Sequence, residues 1–286
     1  MRLDFSKKTM QDFERDAEVV HATRERSFWR FMLADRRAVF ATSVLILITV
    51  ACIFAFLSPY DPNALSVQDK LMPPNSSHWF GTDDHGRDYL TRVLYGGRVS
   101  LLVGVFAMMI AVVVGTLAGT VSGYFGGFID NMVMRFLDIF MSIPSFFLLM
   151  ILNAYLKPGI SNIIIIIGLL SWMEVARIVR AETNSFSGGG FFHIMFKHII
   201  PNAMPSIVVA ASLNVATAIL TESALSFLGL GVQQPNASWG SMLNNAQGYV
   251  GEATYLALFP GLLILMTILS FNVLGDVLRK GLSRRY

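Results

Sequence analysis

The residues best suited to chemistry in this 286-residue chain are few and scattered. Glu222 stands in an otherwise apolar run with Asn214, Thr217, Thr221 and Ser226 nearby. An ionisable group in such a run lines a water-filled path, carries a proton, or pairs with a polar group on another helix, and the sequence leaves the three open. Asp83-Asp84-His85 bring together the ligand types of a metal site, but their spacing matches no metal-loop template, the calcium loop included. The surrounding Gly, Thr and Asp favour a structural loop that pins the start of the next helix. Gly188-Gly189-Gly190 lack the Lys and hydroxyl of a phosphate-binding loop. His193 and His198 are five apart and fall on different helix faces, whereas a two-histidine metal site on a helix uses i and i+4. No nucleophile stands with a base on a recognisable framework. The chain is therefore read as having no catalytic residue, metal or cofactor of its own and no nucleic-acid partner, and any hydrolysis falls to a partner protein.

What must position these groups follows from composition. Apolar residues make up 54% and charged residues 14%, with 22 Phe and 15 Met. Ordinary soluble domains carry roughly 25% charged residues, so this chain cannot cover a soluble globule with charge. A membrane-crossing helix takes about 20 mostly apolar residues. Six stretches meet that need, at about 38–58, 99–121, 133–156, 160–179, 205–230 and 255–278. The expectation is an all-α membrane protein with six transmembrane helices. Its parts are an N-terminal segment (1–37), a first anchor helix (38–58), an extracytoplasmic loop (59–98), a five-helix core (99–278) and a short tail (279–286). Pro144 is expected to bend the third span, because neighbouring helices can satisfy the backbone groups it frees. Gly104, Ala107, Ala111, Gly115, Ala118, Gly119 and Gly123 form a small-residue series on the second span, which close helix packing explains.

Basic residues give the orientation. Of 22 Lys and Arg, seventeen fall in the two termini and the loops on their side, and five on the other. The positive-inside rule places both termini of this bilayer-spanning chain in the cytoplasm. About 37 polar residues precede the first apolar run, so that run is expected to be a retained anchor rather than a cleaved signal.

One cytoplasmic loop, at about 176–204, is informative. After the glycines, Phe191, Ile194, Met195 and Phe196 mix with His193, Lys197 and His198 in a short helix-compatible segment that Pro201 is expected to end. Such a helix docks into a groove on a soluble partner or lies on the lipid interface, and both readings stand.

Several motifs then carry a resemblance. Phe80-Gly81-Thr82-Asp83-Asp84, Gly86-Arg87-Asp88 and Tyr95-Gly96-Gly97-Arg98-Val99-Ser100-Leu101 follow Pro59-Tyr60-Asp61-Pro62. Asp130, Arg135, Asp138 and Ile143-Pro144 come next, then Ala176-Arg177 and Arg180. His198, Pro201-Asn202-Ala203, Glu222, Leu225 to Gly231 and Trp239-Gly240 complete the series. In this order, over about residues 30–286, the chain resembles the permease subunits of dipeptide and oligopeptide ABC importers, closest to the second of the two permeases.

The resemblance implies a type I ABC importer permease fold in a bacterial plasma (inner) membrane, pairing with a homologous permease. It implies two cytoplasmic ATPases, which hold the ATP and Mg, and an extracytoplasmic solute-binding protein. Gly188, Phe191, His198, Ile200 and Pro201 would belong to the coupling segment that meets an ATPase. Asn214, Thr221, Glu222 and Ser226 are pathway candidates. Gly81, Thr82, Asp83, Gly86, Arg87, Asp88, Asp130, Arg135 and Asp138 are structural.

The sequence departs from the family in that coupling segment. Gly188 to Pro201 keeps the family's spacing, but only Ser187 separates Phe186 from Gly188, where the family has about a dozen residues containing Glu-Ala-Ala. The expectation is a subunit that assembles but couples poorly to ATP hydrolysis. Peptide import is the leading function. Nickel or small-solute import by the same family is the alternative within it, and proton-coupled secondary transport through Glu222 the alternative outside it.

Overall fold

Asp35 opens the helix Arg36–Ile53 by accepting a hydrogen bond from the Arg37 amide at 2.9 Å, as N-cap carboxylates do. In the computed structural model, which describes residues 33–156, 159–183 and 195–283, eight α-helices follow one another. They are α1 (Arg36–Ile53), α2 (Tyr89–Phe125), α3 (Gly127–Met141), α4 (Ser145–Tyr155), α5 (Ile160–Thr183), α6 (Ile200–Phe227), α7 (Trp239–Ala246) and α8 (Tyr255–Ser283). No strand occurs among the described residues, only an isolated bridge between Thr82 and Asp88.

Among the described residues, five helices are long and apolar enough to cross a membrane: α1 with its 3₁₀ extension to Leu57, α2, α5, α6 and α8. The sixth span is broken. Helices α3 and α4 meet at 85°, with Pro144 as the residue before α4. The loop assigned to 59–98 is shorter than expected, because α2 already starts at Tyr89. Asp88 caps that start, accepting from the Thr91 amide at 2.8 Å and the Thr91 hydroxyl at 2.6 Å. At 37 residues, α2 is about 55 Å long, well beyond a hydrocarbon core of about 30 Å. Hydropathy marks only its middle.

A second correction concerns Pro201. It does not end a helix but sits in the first turn of α6, where its fixed φ suits the helix. A π-type turn, Met195–Ile199, leads directly into it.

Helix α2 is the axis of the bundle. On one side Gly104 faces Ile219 and Val215 of α6. Further along, a Cβ on Gly115, Gly119 or Gly123 would meet the α5 backbone or side chains at 2.5–2.6 Å, at Trp172, Ala176 and Thr183 respectively. Removing the side chain is what lets these two backbones touch, since lipid gives helices no hydrophobic reason to associate. Ala107 and Ala111 continue the seam fully buried.

Candidate functional site

Three polar clusters interrupt this apolar packing. The first is a clasp built by the loop before α2. Asp83 Oδ1 accepts from the amides of His85 and Arg87 at 2.9 and 3.0 Å. Its Oδ2 accepts from Arg87 Nε at 2.7 Å and lies 3.5 Å from Arg92 Nε. Arg92 also donates to the carbonyl of Pro62 at 2.9 Å, which ties the two ends of the loop. All three side chains are at most 6% exposed. Gly81 and Gly86 hold φ of +76° and +75°, a region only glycine enters freely. A Cβ on Gly86 would also collide with the Ser66 carbonyl.

The clasp is fastened to the bundle. Phe80 stacks on Phe259 of α8 at 3.8 Å between centroids. Tyr255 Oη lies 2.9 Å from the carbonyls of Met72 and Thr82, and Tyr89 Oη donates to the Leu256 carbonyl at 2.5 Å. His78 Nδ1 lies 2.8 Å from Asp88 Oδ1. The motif Gly81-Thr82-Asp83, Gly86-Arg87-Asp88 is therefore a folded knot that sets the entry of α2. Asp83, Asp84 and His85 do bring ligand atoms within 4.8 Å of one another, but Asp83 already serves two guanidinium groups.

The second cluster surrounds Glu222, which is 0% exposed. Its Oε1 accepts from Ser226 at 2.6 Å and its Oε2 from Ser100 of α2 at 3.1 Å. The Ser100 hydroxyl in turn accepts from the Trp239 amide at 3.2 Å. Ser238 donates to Ser226 at 3.3 Å and forms a capping box with Ser241 at the head of α7. Trp239, also fully buried, donates its indole N–H to the Val93 carbonyl at 3.0 Å. A Cβ on Gly240 would meet the Ser223 backbone at 2.5 Å, so α7 lies flush on α6. Glu222 is thus the shared acceptor at a junction of α2, α6 and α7. The other expected pathway residues also turn into the chain: Asn214 donates to the Ala210 carbonyl of its own helix at 3.0 Å, Ser226 is 2% exposed, and only Thr221 is half-buried.

The third cluster lies at the opposite end of the bundle. Arg180 forms a two-pronged pair with Asp130, one N–O distance being 2.8 Å. Ser122 donates to the same carboxylate at 2.5 Å. Arg177 pairs with Asp138 at 2.5 Å. These pairs brace α3 against α5 just before residue 184. Arg135 is exposed and has no partner among the described residues. Of the coupling residues, Gly188 and Phe191 lie outside the described residues, His198 falls in the π-type turn, and Ile200 and Pro201 open α6. His78, Ser238 and Tyr255 escaped the sequence reading. Ser238 had a local signal, the Ser at both ends of Ser238-x-x-Ser241, but nothing local foretold the partners of the other two.

Six apolar crossings, one broken, around a glycine-seamed central helix define a polytopic helical membrane protein. The comparisons make this specific. Residues 111–185 and 186–286 match the family described as the binding-protein-dependent transport system inner membrane component, and residues 24–74 match the N-terminal TM domain of oligopeptide transport permease C. The chain belongs to the binding-protein-dependent transport system inner membrane components, and is a multi-pass inner-membrane permease. It is 40% identical to the oligopeptide transport system permease protein OppC of Escherichia coli K12, with 96% of each chain covered. It is 41% identical to the glutathione transport system permease protein GsiD of Shigella flexneri serotype 5b, with 90% of this chain and 89% of the relative covered. It is 39% identical to the probable D,D-dipeptide transport system permease protein DdpC of E. coli K12, with 82% and 83% covered. These relatives are transport permeases, not enzymes. The match to the family breaks at 185/186, and the OppC alignment runs over 296 positions against 286 residues here. At least ten of those positions therefore have no residue in this chain.

Proposed function

We propose that this chain is one of two permease halves of an ATP-driven importer of di- and oligopeptides, working by alternating access. The observation that carries the reading is the alignment with OppC over 96% of both chains, joined to relatives whose names are all those of peptide-type systems. The second half is a homologous permease. Two cytoplasmic ATPases supply hydrolysis with their own ATP and Mg, and an extracytoplasmic binding protein delivers solute at the clasp end. Both termini face the cytoplasm, as the distribution of Lys and Arg favours. The braced ends of α3 and α5 then stand on the cytoplasmic side, beside the coupling segment. The test is labelled-dipeptide uptake by cells carrying the complete system. Uptake lost on deleting the ATPases and kept with an uncoupler agrees with this reading. Uptake that survives the deletion and collapses with the uncoupler refutes it in favour of proton coupling.

Glu222 is assigned a latching role within this reading. Glu222→Gln keeps a carbonyl acceptor and its hydroxyl donors can turn to suit, so uptake should stay near wild type. Glu222→Ala strands the hydroxyls of Ser100 and Ser226 in a buried cavity, and each stranded group costs about 1–3 kcal/mol. The thermal midpoint of the purified protein should drop for alanine and hold for glutamine. A glutamine variant that is stable but transports nothing would show that Glu222 carries a proton instead.

A further inference from the structure

A groove of about 600 Å³ lies on the outer surface of the bundle between α1 and α2. Its walls are apolar: Ile53 and Phe56 on one side, Leu102 and Phe106 on the other, all roughly half exposed. Arg98 closes one end. From Arg98 to Phe106 is eight residues of α2, about 12 Å along the axis, so the groove is long enough for much of one acyl chain.

Arg98 is the unusual part. Its Nε donates to the Cys52 carbonyl at 2.6 Å and its Nη2 to the Ile53 carbonyl at 2.7 Å. These carbonyls end α1, so the cation sits where the helix dipole welcomes it. The guanidinium also lies 4.4 Å from the centroid of the Tyr95 ring. No carboxylate stands within ion-pair distance of it among the described residues. A guanidinium has five N–H groups, and only two are engaged by protein oxygens, which leaves three donors and a full positive charge. Arg98 is also the last charged residue before the apolar run that starts at Val99. It therefore sits where the hydrocarbon begins and phosphate headgroups lie.

We propose that this groove is a binding site for an anionic phospholipid, with its phosphate on Arg98 and one acyl chain along α1 and α2. A zwitterionic lipid fills the same groove but gains less from the unpaired cation. A neutral helix of another subunit supplies the apolar filling and leaves the charge unanswered. The proposal requires only that the chain spans a bilayer, and it stands apart from the peptide reading.

The experiment is native mass spectrometry of the complete detergent-solubilised complex, titrated with phosphatidylglycerol or phosphatidylethanolamine of identical chains. Wild type should retain phosphatidylglycerol about fivefold better, the worth of one basic residue against an anionic headgroup. Arg98→Lys should keep the preference, and Arg98→Gln should bring the ratio close to one. Leu102→Trp fills the groove without touching the charge and should reduce retention of both lipids. This second variant decides the matter if loss of Arg98 prevents assembly. Unchanged phosphatidylglycerol retention in Leu102→Trp, or an unchanged lipid ratio in Arg98→Gln, would overturn the proposal. So would a wild-type complex that retains no lipid because a second permease covers the groove.

Discussion

Asp83→Ala should be the most damaging single substitution in the loop before α2. It removes the carboxylate that is ion-paired with both Arg87 and Arg92, which are 4% and 3% exposed. Breaking a buried pair by deleting one partner costs about 3–5 kcal/mol, because the remaining charge is left buried and uncompensated. Here two cations are left, and the amides of His85 and Arg87 lose their acceptor as well. That is a large share of the roughly 5–15 kcal/mol that holds a typical domain together. The expected result is a sharp fall in the amount of protein in the membrane and a thermal midpoint well below wild type. Asp83→Asn keeps one acceptor oxygen and should fall between the two. A wild-type melting curve for Asp83→Ala would show that the clasp is ornamental and that packing alone sets the start of α2.

The second large effect concerns coupling. Only Ser187 separates Phe186 from Gly188, where the resemblance implies about a dozen residues, and the OppC alignment leaves at least ten positions without a residue in this chain. The break in the family match at 185/186 is consistent with that shortening. The resemblance implies that the absent stretch docks on an ATPase, so a subunit lacking it is expected to transmit little of the binding-protein signal. Grafting the corresponding stretch of OppC between Phe186 and Gly188 should raise stimulation of ATP hydrolysis by loaded binding protein about tenfold, within the range of measured couplings between sites. Assembly should change little, since the braces Asp130–Arg180 and Asp138–Arg177 lie outside the graft. If the ungrafted complex is already stimulated as strongly as the grafted one, the shortened segment couples normally and this prediction is wrong.

What the sequence disclosed and what it hid divide along a physical line. In a chain this apolar, any charge inside or beside a span stands out, so Glu222, Asp83 and Asp130 were visible at once. Their partners were not. Ser100 is 122 residues from Glu222 and Arg180 is 50 from Asp130, and no local pattern links them. The ends of helices were hidden for a related reason. Hydropathy reports contact with lipid, so it found the middle of α2 and missed its polar first turns at Tyr89 to Arg98. Pro201 misled because a proline disrupts the interior of a helix and suits its first turn equally well. The small-residue series of α2 was legible from Gly104 to Gly123, because close backbone approach rewards glycine at that spacing within an apolar helix, but Gly97, which a Cβ would drive into Cys52 and Trp239, lay outside the series. The direction in which Glu222 points was beyond reach, since depth along α6 says nothing about which neighbour it faces.

The most direct test of the permease-half reading is the mass of the complex. The chain should be purified by its own tag from cells co-expressing a candidate second permease, two ATPases and a binding protein, and measured by native mass spectrometry. The expected result is one copy of this chain with one homologous permease and two ATPase subunits, carrying peptide when the binding protein is loaded. A homodimer or monomer of this chain that binds no ATPase, yet carries solute across vesicles on a proton gradient, would contradict it.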